Sequence, residues 1–357
     1  MVEPTGTYVP ANIARLGHHD RQARPPRQGS SFNWDSMDKL QPVRDPVLFP
    51  LGLKEEAKML LGSEDITIHA KDLRKLAHLG SGYYGRVEKM IHTPTSHVFA
   101  VKHISVHLNY LSRPLISREL AVGTRCNHRS VVTCYCGLFC EGDVLIVMEL
   151  MDTSLDKLLK KVYNRGRIFP TDVLAYIVLS VVEALEYLHQ LEVIHRDVKP
   201  SNMLADCHGR VKVCDFGISA DLENSIALTN IGTRAYLAPE RINTRENEGF
   251  CIRSDVWSLG LSVLELATGK PCYPQSQNVF QQLVQVVHEP SPQLPESSCY
   301  PNSLRKFIDS CLMKNKDDRP NYVQLLESEF LSTVDAKSGQ ESFRLFLADY
   351  LDDNEKC

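Results

Sequence analysis

VIHRDVKPSN at 193–202 and CDFG at 214–217 together decide the fold of this chain. The first stretch sets Asp197, Lys199 and Asn202 along one short loop, and the second adds Asp215. Carboxylate and amide oxygens hold Mg²⁺ together with water and phosphate oxygens, so Asn202 and Asp215 are candidate metal ligands. Asp197 is a candidate acceptor for a hydroxyl proton, with Lys199 adding positive charge two residues further on.

A glycine-rich segment lies upstream of this pair of motifs. Residues 80–87 read GSGYYGRV, and its three glycines let backbone N–H groups approach a phosphate closely. VEKMIH, the break TPTSH and then VFAVKHI predict two strands joined by a turn. A dinucleotide-binding loop would instead open into a helix. The segment therefore predicts a phosphate-covering turn between two strands.

These motifs, in this order, resemble the motif set of protein kinases. The resemblance implies an α+β, bilobal protein-kinase fold with a small β-rich N-lobe and a larger α-helical C-lobe. It also implies ATP and Mg²⁺ as cofactors. Lys102, paired with Glu119, would hold the α- and β-phosphates, while Asp197 accepts the proton and Lys199 stabilises the transferred group. The nucleotide contacts implied are Leu79, Gly80, Ser81, Gly82, Tyr83, Tyr84, Gly85, Arg86, Val87, Ala100, Lys102, Met148, Glu149 and Met151.

Further residues have supporting roles in the same resemblance. His195 would pack under the DFG turn, and Asp255 would point at the catalytic-loop backbone. Glu240, in the APE run at 238–240, would pair with Arg319. Gly123 lies in the predicted helix at 114–126 that carries Glu119, and glycine there predicts a weakened, mobile helix.

Composition and charge exclude some classes of function. The chain has 357 residues and a net charge of −4, which argues against general nucleic-acid binding. Its apolar runs are shorter than a membrane span, and its N-terminus lacks a signal peptide. Eleven cysteines in such a chain indicate reduced thiols and a cytoplasmic location, with the nucleus as a second candidate.

The chain divides into three parts. Residues 1–72 are expected to be a flexible extension with a candidate docking site for a protein partner, although KEEAKMLLG at 54–62 predicts a short helix. Residues 73–331 form the kinase domain, with an N-lobe at 73–151 and a C-lobe at 152–331. Apolar spacing at 171–191 and 254–269 predicts two largely buried helices in the C-lobe. Residues 332–357 form the C-terminal tail.

More specific motifs resemble the mitogen-activated protein kinase kinases. HRDVKPSN, CDFGIS and the spacing of Ser225 and Thr229 follow that family, and MDTSLDKLL, APERIN and EPSPQLP resemble its stress-activated branch. The resemblance implies a dual-specificity enzyme that phosphorylates Thr and Tyr of a T-x-Y loop in a MAP kinase. It also implies activation by an upstream MAP kinase kinase kinase through phosphorylation at Ser225 and Thr229.

The sequence leaves open both the role of the tail and the type of activity. ESFRLFLADYLDD at 341–353 carries apolar residues on one helical face, which fits either a docking helix for the upstream kinase or a helix packed onto the C-lobe. A pseudokinase that scaffolds the cascade, or a kinase specific for Ser and Thr, would share many of the same motifs.

Overall fold

The computed structural model describes residues 52–82, 85–105, 120–216, 235–242, 251–273 and 279–351. They form a β-rich small lobe followed by a mostly helical large lobe, which is the α+β architecture that the sequence predicts. Five residues with predicted roles lie outside these ranges, so those roles stay predictions: Tyr83, Tyr84, Glu119, Ser225 and Thr229.

The small lobe is built on strands. They are β1 (Glu56–Leu61), β2 (Glu64–His69), β3 (Leu73–Gly82), β4 (Gly85–His92), β5 (Val98–Ser105), β6 (Cys134–Cys140) and β7 (Asp143–Met148). The last five form one antiparallel sheet in the order β3–β4–β5–β7–β6. Successive side chains of a strand point to opposite faces. Phe99 and Val101 of β5 therefore enter the small-lobe core, and Lys102 points to the other face.

Residues 56–69 correct two expectations about the N-terminal extension. KEEAKMLLG does not form a helix, because β1 pairs in full register with β2 across a turn in which Gly62 has φ +63°. Met59 and Ile68 of this hairpin are buried in the small-lobe core. Burial of these apolar side chains on a neighbouring sheet outweighs the local helix preference. The hairpin therefore belongs to the small lobe and not to a flexible extension.

The large lobe begins with β8 (Thr153–Ser154) and is otherwise dominated by helices. In chain order it contains α1 (Leu155–Asn164), α2 (Thr171–Gln190), β9 (Met203–Ala205), β10 (Val211–Val213), α3 (Pro239–Ile242), α4 (Ile252–Thr268), α5 (Val279–His288), α6 (Asn302–Cys311), α7 (Tyr322–Leu326) and α8 (Ala336–Ala348). Helices α2 and α4 are buried along most of their length, which confirms both helix predictions. Within the described ranges, no helix has the length and apolar character needed to cross a bilayer.

The C-terminal helix α8 packs onto the large lobe. Phe343 and Leu347 are fully buried, and the Phe343 ring lies 6.1 Å from that of Tyr176 in α2. Basic side chains of the α1 region hold the end of the helix, since Lys161 donates to the Tyr350 carbonyl at 2.9 Å. The apolar face of α8 therefore packs within the chain, which is one of the two alternatives that the sequence left open. Docking of an upstream kinase on the rest of the tail stays a prediction.

Nine cysteines are free thiols in the part of the chain that the structure describes.

Candidate active site

Lys102 and Asp215 meet between the two lobes. Lys102 lies in the middle of the sheet, opposite Val87 on one side and Ile146 on the other. Its Nζ is 2.8 Å from Asp215 Oδ1. Burial alone would raise the pKa of Asp215, but the charges of Lys102 and Lys199 outweigh it, so the pKa lies below its usual range. The aspartate is therefore held as a carboxylate, the form that binds a metal ion.

The strands on either side of the glycine-rich turn lie close to the sheet that carries Lys102. Strands β3 and β4 pair as far as Gly82 and Gly85. Gly85 has φ +148°, and a Cβ built on it would lie 1.8 Å from the carbonyl oxygen of His103. No other residue fits there without moving β5, which is the physical reason for this glycine.

The other residues of this turn differ in what they face. The Arg86 guanidinium lies 3.3 Å from Glu88 and 3.8 Å from Asp143. It is thus engaged by carboxylates of the small lobe, and its predicted nucleotide contact gains no support from this arrangement. Ser81 Oγ lies 3.1 Å from the His78 ring, and the Leu79 carbonyl accepts a bond from Lys157 of α1.

The hinge follows β7. Ala100 is buried directly opposite Met148 in the sheet register, so these two apolar side chains lie beside each other where adenine is expected. The backbone N–H of Glu149 donates to the Thr133 carbonyl at 2.9 Å, so this donor is committed within the protein. Hydrogen bonds to adenine are then expected from other backbone groups of residues 149–151. Met151 is buried below them.

The catalytic loop brings Asp197, Lys199 and Asn202 together. Lys199 Nζ is 2.7 Å from Asp197 Oδ2. The Asn202 amide donates to the Asp197 carbonyl oxygen and to its carboxylate, each at 2.9 Å. The carboxylate is therefore oriented from two sides while its side chain keeps 20% exposure. A carboxylate held this way can orient a hydroxyl and accept its proton.

Buried groups fix the backbone beneath this loop. Asp255 accepts hydrogen bonds from the His195 and Arg196 amides, both at 2.8 Å, as the sequence predicts. Arg196 and Asp215 have φ values of +71° and +58°, unusual for residues with a Cβ. Such conformations cost on the order of 1–3 kcal/mol each and persist only where the surroundings impose them. The His195 ring packs edge-on against Phe216, with centroids 6.4 Å apart, which confirms its packing role.

The far end of the activation segment is anchored by an ion pair. Arg319 donates to both carboxylate oxygens of Glu240 at 2.8 Å, which confirms the predicted pair. Ser254 donates to the same carboxylate at 2.9 Å. Residues 217–234, between Asp215 and this anchor, lie outside the described ranges.

Gly123 has a packing role that the sequence did not indicate. Residues 120–123 are helical, and a Cβ on Gly123 would come within 3.1 Å of Cys134 Cβ in β6. The glycine thus lets the helix lie close against the sheet. Gly123, Cys134, Met148 and Cys214 help to line a small cavity of about 20 Å³ behind the nucleotide site, roughly the space of one water molecule.

The donor set near Asp215 fits a magnesium ion. The Cys214 amide donates to the Asn202 carbonyl at 3.0 Å, which keeps the two candidate ligands side by side. Among the described residues no group of three or more His, Cys, Asp or Glu side chains forms a metal cage. Mg²⁺ usually keeps several waters and binds one or two protein ligands together with substrate phosphates, and Asn202 and Asp215 supply ligands of that kind.

Comparisons with known proteins agree with this geometry. The protein kinase domain family model matches residues 73–331. The dual specificity mitogen-activated protein kinase kinase sek-1 of Caenorhabditis elegans is 42% identical over 83% of this chain and 88% of its own length. The mitogen-activated protein kinase kinase MST7 of Pyricularia oryzae is 40% identical over 77% of this chain and 68% of its own. The MAP kinase kinase PBS2 of Saccharomyces cerevisiae is 40% identical over 73% of this chain and 40% of its own.

Proposed function

The chain belongs to the mitogen-activated protein kinase kinases, and from this we propose that its substrate is a stress-activated MAP kinase. It is a dual-specificity protein kinase, which transfers the γ-phosphate of ATP to Thr and Tyr of its substrate. The observation that carries the catalytic assignment is the Asp197 carboxylate, oriented by Lys199 and Asn202 next to the Lys102–Asp215 pair. Phosphoryl transfer needs such positioning and charge neutralisation more than covalent chemistry.

ATP with a divalent metal ion is the phosphoryl donor of protein kinases, and we propose Mg²⁺ as this ion. Asp215 and Asn202 would hold it, and when bound it would neutralise charge on the transferred phosphate. Lys102 would orient the α- and β-phosphates. Asp197 would hold the attacking hydroxyl and take its proton, with Lys199 countering negative charge on the transferred group.

An in vitro kinase assay tests this proposal. The activated protein is incubated with labelled ATP and with catalytically inactive MAP kinases, one stress-activated and one of the growth-factor type. Phosphate on both Thr and Tyr of a stress-activated substrate is expected, with Asp197→Asn as the inactive control. Phosphoserine and phosphothreonine alone would indicate a kinase of narrower specificity. Nucleotide binding without Asp197-dependent transfer would indicate a scaffold.

An upstream MAP kinase kinase kinase would activate the enzyme by phosphorylating Ser225 and Thr229. Each phosphate adds roughly −1.5 to −2 charges and three acceptor oxygens, which suit a contact with Arg196 beside the catalytic aspartate. We expect Ser225→Ala with Thr229→Ala to block activation, and acidic replacements to activate in part. Full activity of the double-alanine protein after upstream treatment would refute this switch.

Location and docking complete the proposal. The sequence favours a cytoplasmic protein with access to the nucleus, which fluorescence microscopy of the tagged full chain would test. The N-terminal residues are the candidate docking site for the MAP kinase, and the C-terminal tail is the candidate docking site for the upstream kinase. Deletion of either end, followed by a binding assay with each partner, distinguishes the two sites.

A further inference from the structure

A buried ion pair lies behind the hinge, outside the phosphate-binding machinery. Lys212 Nζ in β10 is 2.6 Å from Glu149 Oε2, and the two side chains are only 7% and 13% exposed. The same carboxylate accepts a bond from the Thr133 amide at 3.2 Å and lies 3.7 Å from Arg210. Burial would raise the pKa of Glu149, but its bond with Lys212 outweighs this effect and the pKa lies below its usual range. Glu149 is therefore held as a carboxylate.

Stability alone gives little reason for a lysine at this position. Its neighbours Val211 and Val213 are buried apolar residues. A buried ion pair gains little over well-packed apolar side chains, because the desolvation of two charges offsets their attraction. The pair also fixes local geometry, because a short charge-assisted hydrogen bond sets the distance between two specific atoms.

The pair joins segments that serve different parts of the nucleotide site. The Glu149 amide bonds to the Thr133 carbonyl, and residues 130–132 bond to Val213 in both directions, at 2.9 and 3.0 Å. The Lys212–Glu149 bond closes this ring directly from β10 to the hinge. Strand β10 continues at once into Cys214 and Asp215. One ion pair thus connects the adenine-binding backbone with the strand that carries the metal ligand.

We propose that Lys212 is a positioning residue for nucleotide binding, which acts through Glu149 to fix the hinge backbone relative to Asp215. It does not itself touch the nucleotide. Its loss would let the hinge and the metal ligand shift against each other, so that adenine and the metal-bound phosphates could no longer both be held in their best positions. The affinity for MgATP should therefore fall, while recognition of the protein substrate is unchanged.

The test separates positioning from packing with charge-matched variants. Lys212→Met leaves the Glu149 carboxylate buried without its main counter-ion, so this variant should lose both stability and MgATP affinity. Lys212→Met combined with Glu149→Gln removes both charges, so it should regain stability. The control is the ion pair that Arg129, four residues before Thr133, forms with Glu183 of α2 at 2.5 Å; among the described residues, neither side chain has a hydrogen bond to residues 149–151. It is neutralised in the same way by Arg129→Met with Glu183→Gln.

Calorimetric titration of each full-length variant with MgATP, together with thermal denaturation, gives the readout. We expect the double hinge variant to unfold near the native temperature and yet bind MgATP at least about threefold more weakly. The control variant should bind MgATP normally. Native MgATP affinity in the double hinge variant would show that the pair only packs and would overturn the proposal. Equal weakening in the control would also overturn it. Because calorimetry needs no protein substrate, the result does not depend on which MAP kinase is phosphorylated.

Discussion

Substitution of Arg319 would test how the large lobe holds the end of the activation segment. Its side chain is completely buried, and it donates to both oxygens of Glu240 and to the carbonyls of Arg253, Met313 and Lys314. Its guanidinium carbon also lies 5.0 Å from the centroid of the Trp257 ring. Arg319→Met would leave a buried carboxylate without its counter-ion and several carbonyls without a donor.

The expected cost follows from this geometry. Breaking a buried ion pair by removing one partner typically costs about 3–5 kcal/mol. A domain has only about 5–15 kcal/mol in total, so the loss should be plain in urea denaturation. Adding Glu240→Gln removes the stranded charge and should recover at least about 1 kcal/mol. Glu329→Gln is the control, because its ion pair with Lys306 has side chains 69% and 63% exposed, and no measurable change is expected.

The pH dependence of the free energy of unfolding is a second test of the Glu240–Arg319 ion pair. Burial alone would raise the pKa of Glu240, but Arg319 outweighs it and the pKa lies below the ordinary 4.5. The unfolded chain therefore takes up the proton first as pH falls, so the stabilisation is complete above pH 4.5 and is lost below it. Glu240→Gln should flatten this part of the stability profile. The reasoning is refuted if Arg319→Met costs less than about 1 kcal/mol, or if the double variant is no more stable than the single one.

Three further predictions concern the nucleotide site and the tail. Asp197→Asn should abolish transfer but keep MgATP binding, whereas Asp215→Asn should lose both, and calorimetric binding that is normal for Asp215→Asn would contradict the metal assignment. Burial and the neighbouring Asp215 raise the pKa of the Cys214 thiol, so a flat electrophile should modify it more slowly than the exposed Cys299 at neutral pH, as mass spectrometry would detect. Phe343→Ala should destabilise the large lobe by about 3–5 kcal/mol because the ring is fully buried, and a near-native melting temperature would instead favour a loosely attached tail.

Some contacts could be predicted, either because a motif places the residues close together in sequence or because the kinase resemblance names both partners. The catalytic loop gathers Asp197, Lys199 and Asn202 within six residues, so their proximity needs little from the rest of the chain. The Asp255 and Glu240–Arg319 contacts were found through the kinase resemblance, which supplies pairings that spacing alone does not.

Other contacts could not be predicted, because no local pattern signals them. The hairpin at 56–69 consists of residues that also suit a helix, and only its burial on the sheet selects strands. Gly123 looked like a weak point in a helix, yet its close approach to Cys134 depends on where β6 lies. Nothing in the local sequence around Lys212 indicates that Glu149 is its partner.

By itself the sequence determined the fold class, the order of the two lobes and the candidate residues for phosphoryl transfer, because these depend on residue types at fixed spacing along the chain. Only the tertiary structure decided that the apolar face of the tail is covered by α2, that Arg86 is engaged by carboxylates, and that Lys212 reaches Glu149. These contacts join residues far apart in sequence. Their energies depend on distance, burial and the exclusion of water, which are set by the packing of the whole chain and not by any one segment.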